Sequence, residues 1–128
     1  MSVRSSMSTG IPLRVLDAAM ALAGAVHAAT AAVPSGWTPS LRSQLFRATD
    51  AVAANIAESG QHQSLPQRTR YLTIALSSAE EVGVHLRLAV DRHCIRRDAF
   101  LRCEARRVVV CRMLMALLRA LRSRTPQS

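Results

Sequence analysis

Apolar residues return every three to four positions in four separate segments, the spacing that lines one face of an α-helix. Val15, Ala19, Leu22, Val26, Ala29 and Val33 make the first stripe, with Leu13, Leu16, Met20 and Ala23 beside it. Leu41, Leu45, Ala48 and Val52, then Asn55 with Ile56, make the second. Leu72, Ala75, Ala79, Val82, Leu86 and Ala89 make the third. Hydrophobic residues amount to 49% of the chain and aromatics to only 3%, so Ala, Leu, Val, Ile and Met must fill the core. Ala, Leu and Met are good helix formers, whereas strands favour β-branched and aromatic residues. A chain of 128 residues supports one core. The expected fold is therefore all-α, an antiparallel up-down-up-down four-helix bundle over 11–123. It is flanked by a disordered arm at 1–10 and a flexible tail at 124–128.

Local signals divide the segments. The first helix ends at "VPSGW", and Thr38 before Pro39 has the form of an N-cap with proline in the first turn. Gly60 stands where a C-terminal glycine belongs. Ser64 with Gln67 three residues on reads as a capping box. The turn at 92–96 contains neither Gly nor Pro. The fourth helix, about 97–122, carries two stripes: Leu101, Ala105, Val108, Met115 and Leu118, then Cys103, Val110, Leu114, Leu117 and Leu121. Together they cover about half the circumference, more than one bundle core needs, and the surplus suggests subunit contact. The stretch 11–33, interrupted by Arg14, Asp17 and His27 and preceded by Arg4, also has the outline of a secretory signal. Its unbroken helical period favours a bundle helix in a cytoplasmic protein that neither spans nor binds a membrane.

Little in the chain resembles catalytic machinery. His27, His62, His85, His93 and the three cysteines do not fall at metal-ligand spacing, and the odd cysteine count reads as reduced, mostly buried thiols. Glu80 and Glu81 are adjacent on one helix and cannot oppose each other across a substrate. The five glycines are scattered singly, so no loop cradles phosphate. A non-enzymatic protein without metal or cofactor is expected.

Charge carries more. The net charge is +9, and all 17 basic residues are arginine. A GC-rich coding bias accounts equally well for the missing lysines, but not for the excess charge. Nine arginines lie between Arg96 and Arg124 against Asp98 and Glu104. On a helical wheel Arg102, Arg106, Arg112 and Arg119 fall within one sector of about 140°. Such a ridge can line the phosphates of RNA or DNA without reading sequence, and the shortage of aromatics argues against base stacking. The same ridge is also what the polar face of any amphipathic helix looks like, and it could equally dock an acidic protein. Asn55, on the core stripe, with Glu58 one turn later, suggests a structural pair that fixes register.

The stretch "LRSQLFRATDAVAANIAESG" resembles the signature of four-helix bundle proteins encoded in 23S rRNA intervening sequences. "RYLTIALSSAEEVGVHLRLA" is similar to that family's third helix. The likeness covers about 41–89, with weaker agreement through "RMLMALLRAL". Ser43, Gln44, Arg47, Ala48, Asn55, Ile56, Ala57 and Glu58 match the first motif. Ile74, Ala75, Leu76 and Glu80 or Glu81 match the second. Ala53 and Ser59 depart from the usual proline and glycine, and Arg96 stands where a serine cap is common. The resemblance implies a homo-oligomeric ring, a pentamer. It extends to the accessory variability proteins of diversity-generating retroelements, which bind nucleic acid through a basic surface and associate with a reverse transcriptase. It equally admits an interaction scaffold that does not touch nucleic acid.

Overall fold

The computed structural model describes residues 13–32 and 37–124, and four helices account for nearly all of them. They are α1 (Leu13–Ala32), α2 (Pro39–Ser59), α3 (Leu65–Asp91) and α4 (Arg97–Ser123), with no strand among the described residues. The expected arm at 1–10, the start of the first helix at 11–12, most of its closing turn at 33–36 and the tail beyond Arg124 lie outside them. Each helix packs on the next, α2 on α3 most extensively, and α4 closes the ring of contacts on α1. This is the four-helix bundle that the periodicity predicts.

The first three stripes become the core. Leu22, Val26, Leu45, Val52, Ile56, Leu72, Ala75, Ala79, Val82, Leu86 and Ala89 are all fully buried. By length and composition α1 is long and apolar enough to cross a membrane. In the bundle its seam, Val15 to Ala29, forms one wall of the core.

On α4 the two expected stripes part company. Ala99, Cys103, Val110, Leu114, Leu118 and Leu121 are buried, but Leu101 is 52% exposed and Met115 41%, with Val109 at 50%. The seam is therefore the second stripe joined by Ala99 and Leu118, and most of the first faces outward. The expected surplus of apolar surface is present on the outside of the helix.

The helix ends follow the capping signals with two differences. The Thr38 hydroxyl accepts from the Leu41 amide at 3.2 Å, and that of Ser64 from the Gln67 amide at 3.2 Å. Gly60 does end α2, but at φ −72° it keeps right-handed geometry, so the left-handed glycine cap expected there is not formed. That cap occurs instead at the end of α3, where His93 is left-handed at φ 61°. The Cys94 amide donates to the Ala89 carbonyl at 2.8 Å and the His93 amide to Val90 at 3.1 Å, the bond pair of a Schellman motif. Cys94 and Ile95 then turn inward and are buried, so this turn is tied down without Gly or Pro. A left-handed conformation costs a residue bearing a Cβ roughly 1–2 kcal/mol. The exposed His93 side chain offers little in return, so His93→Gly is expected to raise stability by about 0.5–1 kcal/mol. Urea melts at fixed protein concentration measure it, and a loss would show that the imidazole contributes to the turn.

Asn55 departs from its expected place. It is half-buried rather than core, and its Nδ2 donates to the Ala51 carbonyl of its own helix at 2.8 Å. Glu58, at 48% side-chain exposure, pairs with His62 at 3.1 Å and not with Asn55. The reason is register: Val52, Ile56 and Ser59 hold the seam, and Asn55 falls at its edge. Glu58 instead anchors the α2–α3 turn. The His62 ring stacks on Tyr71 with centroids 5.0 Å apart, and its carbonyl accepts from Arg68 Nε at 2.7 Å.

Candidate nucleic-acid interface

The four arginines of the expected ridge are all exposed, spread over the sector of about 140° that the wheel gives. At about 100° per residue, Leu101, Arg112 and Arg119 share a sector only ~20° wide on the side of α4 away from its core seam. Arg102 and Arg106 turn from Arg112 by about 80° and 120°, toward α1. One pair thus stands among exposed apolar residues, whereas the other lines a groove. The wheel gives the angles between them, but not that α1 lies beside Arg102 and Arg106.

The groove lies between the C-terminal half of α1 and the N-terminal half of α4. It has a volume of ≈ 500 Å³, a floor that includes Ala21, Gly24, Ala25, Ala28 and Ala32, and a wall of Arg96, Arg102 and Arg106. A Cβ built on Gly24 meets no atom within 4 Å, so the floor is open above the helix backbone. Side chains of one carbon or none leave this channel; larger residues on the same face would close it.

Asp98 organises the wall. Its carboxylate lies 3.5 Å from Arg96 Nε and 3.3 Å from Arg102 Nη1. The Arg102 hydrogen bond, with the charge of Arg96 and the Ala99 amide adding to it, holds the carboxyl below the usual range. Asp98 is thus an ionised group in the wall at neutral pH, paired with two of its three arginines. Arg96, which stands where a serine cap is common, makes no side-chain cap bond. Its place in the wall could not be read from spacing, because it sits outside α4.

The other exposed arginines of α4 are not ion-paired among the described residues. Arg97, Arg106, Arg112, Arg119 and Arg122 are exposed and make no ion pair with a described residue. Arg107 behaves differently. It makes a two-pronged bond to Glu104, Nε at 2.6 Å and Nη2 at 2.8 Å, and its Nη1 lies 3.6 Å from Cys111 Sγ. Its guanidinium lies against Gly83 of α3, where an added Cβ would come within 2.9 Å of Cζ. Arg107 is thus an inter-helix packing element and not part of the exposed cationic surface. Burial pushes the Cys103 and Cys111 thiols up, so both are protonated at neutral pH.

The sequence and the fold have known counterparts. The family model described as 23S rRNA-intervening sequence protein matches residues 12–116. The crystal structure of a protein of unknown function from the S23 ribosomal protein family of Bacteroides thetaiotaomicron superposes with a TM-score of 0.75 at 24% identity. That match covers 81% of this chain and 97% of the other. No curated protein matches the chain.

Proposed function

The chain belongs to the 23S rRNA-intervening sequence protein family, and from that premise we propose that it is a non-enzymatic, cytoplasmic protein that binds RNA or DNA through phosphate. The observation that carries this reading is the exposed arginine surface of α4, on which five guanidinium groups, those of Arg97, Arg106, Arg112, Arg119 and Arg122, make no ion pair with a described carboxylate. Phosphate oxygens are the natural partners of such groups, which present a planar fork of donors. Recognition is independent of base sequence because the surface brings charge and no cluster of aromatic rings. In this reading the protein serves as an accessory subunit of a diversity-generating retroelement reverse transcriptase. Exposed Leu101, Val109 and Met115 support self-association; the ring of five is what the family resemblance implies.

Salt titration tests the binding. Each neutralised phosphate releases counterion, so affinity falls with a slope of about −0.7 per contact on single strands and −0.9 on duplex. For three contacts, raising salt from roughly 50 to 200 mM should weaken binding about 20- to 40-fold, read by fluorescence anisotropy of a labelled oligonucleotide. A flat response, or none at all, overturns the proposal. Retention of a protein partner after nuclease treatment, with no nucleic-acid affinity, would instead support the scaffold reading. Light scattering after size exclusion reads the subunit number, and a monomer would remove the ring.

A further inference from the structure

We infer that the α1/α4 groove is a track for a single nucleic-acid strand, with the sugar–phosphate backbone on the alanine floor and phosphates against Arg96, Arg102 and Arg106. The inference rests on the nucleic-acid reading above and narrows it to one place and one strandedness. Three observations meet here. The wall is cationic, and Arg102 and Arg106, one helical turn apart, follow each other by about 6 Å along α4, so they address successive points of a polyanion. The floor is apolar and offers no side-chain donor or acceptor to a base edge, so recognition stays with the backbone. Gly24 and exposed Ala28 leave the helix surface bare, which lets a chain sink between the helices.

Width decides between occupants. Packed helices lie about 8–10 Å apart, so the channel between α1 and α4 is narrower than the ~10–12 Å diameter of a helix with its side chains, and an acidic helix could rest only across its mouth. A duplex is wider still and would meet the arginines from outside. A single strand, the narrowest of the three, is the occupant we assign to the channel. Asp98 offsets part of the wall's charge, but its pairs with Arg96 and Arg102 are solvent-exposed and weak enough for phosphate to displace, and Arg106 has no acid partner among the described residues.

The test separates the groove from the charge. Gly24→Leu with Ala28→Leu fills the floor and leaves every arginine in place. The position 24 side chain enters open space on a helix that gains propensity from losing glycine, so the fold should persist, as circular dichroism checks. Gly24→Leu alone serves if the double variant melts early. Arg102→Gln with Arg106→Gln removes charge and keeps the floor. With a labelled oligo-uridine, both variants should bind at least tenfold more weakly than the parent. With a duplex of equal length, the filled variant should stay within about twofold and the glutamine variant should weaken. Unchanged oligo-uridine binding by the filled variants, with loss in the glutamine variant, overturns the track while leaving the nucleic-acid reading intact. Absence of binding by the parent overturns both. Poly-glutamate bound and lost on filling, with oligo-uridine unaffected, also overturns the track and assigns the groove to an acidic protein segment.

Discussion

Truncating Leu114 to alanine is expected to lower stability by about 3 kcal/mol, whereas the same truncation at Leu101 should change it by less than about 1 kcal/mol. Both leucines lie on α4 and both belong to apolar stripes, but Leu114 is fully buried and Leu101 is 52% exposed. Leu114→Ala loses transfer energy and leaves a cavity that the neighbouring helices cannot close. Leu101→Ala removes atoms that already meet solvent. Urea melts of the two variants at one protein concentration make the comparison. Equal losses would mean that α4 is rotated from the orientation described. A Leu101 variant that shifts the subunit mass while its melt at low concentration is unchanged would place that residue in a subunit contact.

The second large effect concerns Arg107. Its guanidinium is fixed by Glu104 on one side and by the bare backbone of Gly83 on the other, with 18% of its side chain exposed. Arg107→Ala removes two charge-assisted hydrogen bonds and leaves Glu104, at 25% exposure, without its partner. Because both groups still reach solvent, the loss should be about 2 kcal/mol, below that of a fully buried pair. Gly83→Ala sets two effects against each other. Helix propensity favours alanine by about 1 kcal/mol, while the new Cβ displaces the clamped guanidinium at a larger cost. A net loss of roughly 1 kcal/mol follows in the parent. In an Arg107→Ala background the obstruction is gone, and the same Gly83→Ala change should stabilise by about 1 kcal/mol. A double-mutant cycle in urea reads this reversal of sign, and additivity would show that the contact has no energetic weight.

These particulars explain what could be read from sequence and what could not. On α1, α2 and α3 one apolar stripe dominates each helix, and burial follows it almost residue for residue. On α4 apolar residues occupy half the wheel, so periodicity alone does not say which part faces inward. The ambiguity is sharpened by Arg107, a charge that lies between helices because Glu104 neutralises it and Gly83 makes room. Asn55 was misplaced for a related reason: it adjoins the seam residue Ile56, but an amide can satisfy itself on its own helix backbone. The His93 cap was invisible because the left-handed position carries histidine in place of the usual glycine.

The candidate site was legible in half its parts. Arg102 and Arg106 stand out as charges wherever they fall, although that α1 lies beside them needed the structure. The floor was not legible at all. Ala21, Gly24, Ala25 and Ala28 read simply as good or tolerated helix residues, and nothing in their spacing tells that α4 lies beside them. A groove defined by missing side chains leaves no motif behind.

Three of the four helix seams join consecutive helices, but the α1/α4 seam joins segments about eighty positions apart in the chain. Local pairs can form early and cheaply, whereas this closure waits for the most distant partners. During synthesis a chain that has released α1, α2 and α3 carries the bare floor and an open core but none of the groove's arginines. The same late step that seals the hydrophobic core therefore assembles the proposed site. If the groove is the strand's track, it exists only in the completed bundle, whereas the charge of the arginines is present in any full-length chain.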